Sequence, residues 1–237
     1  MPFFYFSPTY LLFALPAMLF AMWAQWRVKS AFEQWSRVPN AQRLSGEDVA
    51  RALMRNEGLD YVRVERTGGM LTDNYDPRDK VMRLSEGSTQ PSVAAMAIVA
   101  HELGHASQDK EGYIWLRARS GIVGIANIGS QLGTWLFFGG LLLSSFIRNS
   151  QFGYTMALAG VALFSAAVAF TLVTLPVEFN ASARAKEMLM RNGMVTVEEA
   201  GGVNAVLNAA ALTYVAAAAQ AIAQLLYFIS ILSRRRN

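Results

Sequence analysis

His101-Glu102-Leu103-Gly104-His105 is the stretch on which the reading of this chain turns. It has the form H-E-x-x-H, and its two histidines are the only two in 237 residues. On a helix, positions i and i+4 lie on one face, so both imidazoles can meet one metal ion. Glu102 stands beside the first histidine, placed to act as general base toward a water molecule. This is the arrangement of zinc hydrolases. In a chain so poor in histidine, chance placement of both in this register is a weak explanation.

The donor inventory narrows the site further. There is no cysteine, hence no disulfide and no thiolate ligand. A zinc ion on His101 and His105, one per chain, must then take a carboxylate as its third protein ligand. Only Asp109, Glu111, Glu178, Glu187, Glu198 and Glu199 follow His105. Asp109 and Glu111 share the motif helix or its end, and point away or lie too near the histidines to close a site. Glu178 sits on a separate helix and is the expected third ligand. The competing reading is a helix N-terminal Glu that complements the dipole.

Composition sets the surroundings. The chain is 53% hydrophobic and 16% charged, against about 25% charged in soluble domains. Long apolar blocks alternate with polar ones, as in a multi-pass membrane protein with a water-facing part. The net charge is +4, and Arg234-Arg235-Arg236 supplies three of the positive charges. The basic residues cluster at block ends, a topology signal and not a nucleic-acid footprint.

In order along the chain, Phe3 to Trp26 forms a first apolar block with Trp23 and Trp26 at its end and Arg27 and Lys29 beyond. We read residues 1–26 as an uncleaved membrane helix with its C-terminal end in the cytoplasm. Residues 27–119 form the soluble region. Ser45-Gly-Glu-Asp opens a helix that Gly58 ends. Period-two stretches at Tyr61–Arg66, Met70–Asp76 and Val81–Leu84 predict a small β-meander, with turns at Thr67-Gly-Gly and Pro77-Arg-Asp-Lys. Its edge either takes up an extended peptide as one more strand or merely covers the helices. Gln90-Pro91-Ser92 opens the motif helix. Its apolar run Val93–Ala100 is too short to cross a bilayer.

Residues 120–175 are expected to form a transmembrane hairpin. Gly121–Ile147 contains Gly129-x-x-x-Gly133, a close-packing signal, and Gly139-Gly140, where the helix is expected to loosen. Arg148-Asn-Ser-Gln turns the chain, and Phe152–Leu175 returns it. In residues 176–237, Pro176 is expected to start a helix running to Asn192 with Gly193 as its cap. Thr196-Val-Glu-Glu caps an Ala-rich last helix that either crosses the membrane as a fourth span or packs along the others. Lys and Arg number 14 in residues 27–119 and 3 in residues 176–208, which puts the motif side in the cytoplasm. The expected architecture is a mainly α membrane protein. It has about four transmembrane helices and a cytoplasmic α+β gluzincin-like metallopeptidase domain.

Several stretches together resemble one family. These are Leu71-Thr-Asp-Asn-Tyr-Asp-Pro-Arg, Val81-Met-Arg-Leu-Ser, Ala100-His-Glu-Leu-Gly-His-Ala-Ser-Gln, Pro176-Val-Glu-Phe-Asn-Ala-Ser and Val206-Leu-Asn-Ala-Ala-Ala-Leu-Thr-Tyr-Val-Ala. The chain is similar to the YugP-type neutral zinc metallopeptidases of bacterial membranes. More distantly it is similar to the HtpX protease and the CAAX prenyl endopeptidases. The resemblance implies a multi-pass enzyme of the bacterial inner membrane, with His101, His105 and Glu178 as zinc ligands and Glu102 as catalytic base. The implied substrate is a peptide or protein associated with the membrane, and the resemblance names no membrane protein partner or adaptor. Nucleic acid is not an expected partner. The family usually has His where this chain has Asn74, and Asp where it has Asn180. If that Asp orients a zinc-bound histidine, Asn180 can accept the same hydrogen bond without a charge. Asn74, Tyr75 and Arg184 are candidate donors to a developing oxyanion. Tyr75 has the alternative role of packing on the sheet, and Arg184 that of pairing with Glu187. The rival functional class is a non-catalytic membrane scaffold that keeps the fold; a different hydrolysis, on a lipid-linked substrate, is a further one.

Overall fold

The computed structural model describes residues 8–147 and 151–236. The start of the first apolar block at Phe3 and the turn residues Arg148, Asn149 and Ser150 lie outside the described residues, as do the side chains of Arg235 and Arg236. The elements in order are α1 (Pro8–Ser36), α2 (Gly46–Glu57), β1 (Arg63–Arg66), β2 (Asn74–Asp76), β3 (Val81–Leu84), a 3-10 turn (Glu86–Thr89), α3 (Val93–Lys110), α4 (Ile114–Phe146), α5 (Gln151–Arg191) and α6 (Val197–Arg236). They group into two compact units. One comprises Met1–Trp23, Arg117–Leu175 and Tyr214–Asn237; the other comprises Ala24–Leu116 and Pro176–Thr213.

The first unit holds the apolar parts of α1, α4, α5 and α6. These four helices are long and apolar enough to cross a membrane. Glycines set how closely α4 and α5 approach. A Cβ on Gly129 would lie 2.5 Å from the Leu163 carbonyl oxygen, and one on Gly133 would lie 2.8 Å from that of Gly160. The G-x-x-x-G stretch is therefore a close-packing seam, as expected. Gly139-Gly140 does not loosen α4, which is continuous from Ile114 to Phe146. Gly140 extends the seam instead: a Cβ there would lie 2.5 Å from Ala157 N. Away from the seam the unit packs aromatic rings, with Phe137 stacked on Phe228 at 4.0 Å.

The second unit carries the motif. The apolar stripe of α2 (Val49, Ala50, Leu53, Met54) packs with Met82 and Leu84 of β3, Met96 and Leu103 of α3, Met188 and Leu189 of α5, and Leu207 of α6. Ser45 and Asp48 form a capping box on α2, and Gly58 closes it at φ 63°, the left-handed conformation glycine adopts without strain. Ser92 caps α3 by accepting from Ala95 N–H. α3 is buried on nearly all sides, which is why its apolar run reads as core.

Two expectations are corrected here. The sheet is not a meander. Its order is β1-β3-β2, with β1 parallel to β3 and β2 antiparallel to it. Residues 67–73 carry the chain past the position of β3 to its far edge, and β3 returns between the two earlier strands. Alternation in the sequence marks strands but not which strand fills the centre. Pro176 does not start a helix either: it lies inside the continuous α5. The missing Pro N–H removes one backbone bond, but α5 already has 25 residues of helix before it. Gly193 ends the segment at φ 61°, and Thr196 with Glu199 forms the capping box of α6.

Candidate metal centre

The site is built where α3 crosses α5. A Cβ on Gly104 would lie 2.5 Å from the Ala181 carbonyl oxygen, so only glycine lets the two backbones meet at the level of the motif. Val177, Ala181, Ala185 and Met188 of α5 face the core at helical spacing. Glu178 and Ser182, one position further along, therefore face the same crossing, one turn apart.

The structure brings His101, His105 and Glu178 together, their candidate ligand atoms all within 4.8 Å of one another. Glu178 Oε2 lies 3.2 Å from His101 Nε2 and 3.4 Å from His105 Nε2. Asp109 and Glu111 are engaged elsewhere. Asp109 accepts from Tyr75 Oη and Lys80 Nζ, and Glu111 pairs with Arg184.

The histidine tautomer follows from a residue that the motif reading missed. Gln108 is fully buried and lies one turn beyond His105. Its Nε2 donates to the Val177 carbonyl at 2.7 Å and to Asn180 Oδ1 at 3.0 Å. A carbonyl only accepts, so the amide orientation is fixed and Oε1 faces His105 Nδ1 at 3.0 Å. His105 Nδ1 must then carry a proton, so in the neutral ring the lone pair is on Nε2, the atom that faces Glu178. Two acceptors at 3.4 Å attract each other only through a shared proton or cation. The donor set of two imidazole nitrogens and one carboxylate oxygen thus suits a divalent metal, zinc among them. On the other histidine, Ser182 Oγ lies 3.2 Å from His101 Nδ1.

Asn180 does not touch a histidine. Its Oδ1 accepts from Gln108 and from Arg184 Nε, so it reaches His105 through Gln108. A signal for Gln108 was present in the sequence: an amide at i+3 from the second histidine, on a helix with an apolar lead-in. Ser182, at i+4 from Glu178, left a fainter one. Arg184 forms a bidentate pair with Glu111, at 2.6 and 2.7 Å, and does not offer its guanidinium to the metal group. Tyr75 Oη donates to Asp109 at 2.7 Å; burial and that bond push its hydroxyl pKa well up. Its backbone N–H lies near the Glu102 carboxyl and acts to lower that group's pKa. Asn74 is exposed, on the opposite face of β2 from Tyr75.

Glu102 is buried beside this cluster. Burial pushes its carboxyl up to about 7, with His101 opposing, the Glu178 and Asp73 carboxylates adding to the rise and the Tyr75 N–H opposing it. A carboxylate poised near neutrality can take a proton and return it.

Residues 10–233 match the family described as "Putative neutral zinc metallopeptidase". The chain belongs to this family. It is 42% identical over 229 residues to the "Putative membrane protease YugP" of Bacillus subtilis (strain 168), covering 96% of this chain and 98% of that protein. No solved structure is significantly similar to it. Within this member of the family, then, the α3–α5 crossing joins the only two histidines of the chain to a carboxylate 73 positions beyond the second.

Proposed function

We propose that the chain is a membrane-bound zinc metalloendopeptidase of the bacterial inner membrane. His101, His105 and Glu178 are its zinc ligands and Glu102 its general base, in a gluzincin-like arrangement. The observation that carries this reading is the gathering of three candidate ligand atoms within 4.8 Å of one another, with a carboxyl raised to about 7 next to them. Zinc held there supplies Lewis-acid polarisation of the scissile carbonyl and lowers the pKa of water. The rest is the work of the chain. Gln108 holds His105 in the Nδ1–H tautomer, the one that leaves Nε2 free to coordinate. Glu102 takes the proton of the attacking water and passes it to the leaving amine, so that the C–N bond breaks with the amine neutral. The Tyr75 backbone N–H on the edge strand β2 lies near the Glu102 carboxylate and favours its charged form. An extended peptide laid along that edge would present its carbonyls to Glu102.

The charge distribution supports a cytoplasmic site. With four spans, the 17 Lys and Arg of residues 27–119 and 176–208 share one side, and Arg148 with Arg234–Arg236 lies on the other. The rule that cytoplasmic segments carry the excess then assigns the motif to the cytoplasm. A membrane-associated peptide or protein is the substrate this location favours.

The test is cleavage of an unstructured protein, such as casein, by the purified full-length chain in detergent. Chelation should abolish cleavage, zinc should restore it, and Glu102→Gln should lack it. Cleavage by Glu102→Gln at the wild-type rate would refute the assignment of the base.

A further inference from the structure

Gln220 and Gln224 stand one turn apart in the Ala-rich stretch of α6, within a helix able to span a membrane. Beside them in the same unit runs α1, in the opposite direction. Arg234 Nη1 donates to Thr9 Oγ1 at 3.0 Å, and the Tyr10 and Tyr227 rings meet edge to face at 5.0 Å. Between the two helices lies an open groove of about 230 Å³, whose lining includes Tyr10, Ala14, Ala17, Gln220, Ala223 and Gln224. Ala14 and Ala17 fall at the centre of the apolar run Pro8–Trp26. The two amides therefore lie at mid-bilayer depth.

Among the described residues neither amide has a hydrogen-bond partner. Hydrocarbon cannot satisfy them, and an unsatisfied polar group there is expensive. Glutamine also has no protonation change by which to shed its polarity. Ala14, Ala17 and Ala223 remove side-chain bulk beside the amides, as small residues do at membrane helix contacts, and Leu11, Phe13, Leu15 and Met18 make the rest of the groove apolar. The shape decides between occupants. A groove between two helices receives the ridge of one helix, whereas two copies of the same groove would face each other hollow to hollow. Its volume has room for one or two side chains projecting from a helix laid along it.

We propose that the α1–α6 groove docks a single membrane-spanning helix of another polypeptide, one carrying a hydrogen-bonding side chain (Asn, Gln, Ser or Thr) at mid-bilayer depth. Gln220 and Gln224 are the recognition groups. The proposal depends on α1 and α6 crossing the membrane and not on the metal site.

The chain has no cysteine, so one added after Asn237 gives a unique position for a fluorescent donor. The full-length protein is reconstituted in phosphatidylcholine vesicles with an acceptor-labelled synthetic Leu/Ala helix of roughly 23 residues bearing one central Asn. Saturable energy transfer is expected. A peptide with Leu in place of Asn should bind more weakly, and so should the Gln220→Leu/Gln224→Leu protein, by about tenfold for two interhelical amide bonds at roughly threefold each. Leucine preserves side-chain length and removes only polarity, and an unchanged thermal transition would verify that the variant folds. Equal binding of the Asn peptide by wild type and variant would overturn the proposal. So would failure of wild type to distinguish the two peptides. Transfer between differently labelled copies of the protein alone, lost in the double variant, would assign the groove to a second copy and likewise overturn it.

Discussion

Gln108→Leu should weaken zinc binding without removing a ligand. The substitution is close to isosteric, so no cavity term arises. It removes the acceptor of His105 Nδ1–H and the donor to the Val177 carbonyl, while Asn180 keeps Arg184 as a donor. One buried group, the His105 Nδ1–H, is left unpaired, while the Val177 carbonyl keeps its backbone partner within α5, so the fold should lose ~1–3 kcal/mol. With its ring no longer held, His105 can also adopt the other tautomer, which turns a proton toward the metal position. Loss of such an outer partner typically costs ~10–100-fold in metal affinity. Gln108→Glu separates the two effects. Its carboxylate still accepts from His105 but faces the Val177 and Asn180 oxygens, so zinc affinity should hold while stability falls. Competition with a chromophoric chelator measures the affinity, and thermal transitions in detergent measure the stability. Wild-type zinc affinity in Gln108→Leu would refute the argument that this amide sets the tautomer.

Other outcomes follow from the same geometry. Gly104→Ala should push α3 and α5 apart, because its Cβ would lie 2.5 Å from the Ala181 carbonyl oxygen; a loss of ~1–3 kcal/mol and of zinc should show in melting and metal analysis. Asn180→Asp accepts from the same two donors, so zinc affinity within about threefold of wild type is expected, and a collapse of zinc binding would contradict the network. In the metal-free protein the Glu102 carboxyl is raised from 4.5 to about 7, so it holds its proton longer folded than unfolded. The stability it contributes is complete below pH 4.5 and lost as pH rises through about 7, roughly 3 kcal/mol in all. Glu102→Gln should therefore gain on wild type between pH 5 and 8 in metal-free melts. With metal bound, the nearby cation favours the carboxylate, so cleavage should fall with acid at or below about pH 7; a rate that rises as pH drops would contradict Glu102 as base.

The parts of the fold that were legible in the sequence are those governed by local rules. Ser45 and Ser92 before apolar runs, Gly58 and Gly193 after them, and G-x-x-x-G in an apolar block each act within a few residues or along one helix face. The gathering of His101, His105 and Glu178 was legible because a histidine-poor, cysteine-free chain leaves few ligand combinations. What stayed hidden depends on neighbours distant in sequence. The central place of β3 is set by pairing, which period-two alternation does not encode. Pro176 looked like a helix start because proline suits that position, yet an established helix carries through it. Arg184 offered Glu187 as a partner one turn away and took Glu111, 73 residues earlier, because the crossing of α3 and α5 brings that carboxylate closer. Gln108 became meaningful only once Val177 supplied the acceptor that orients its amide.

The most direct test of the metal centre is the zinc content of the purified full-length protein, wild type beside Glu178→Ala and Glu102→Gln. About one zinc per chain is expected in wild type and in Glu102→Gln, and none in Glu178→Ala. Zinc retained by Glu178→Ala at the wild-type level would mean that the third ligand lies elsewhere, and would contradict the site described for the α3–α5 crossing.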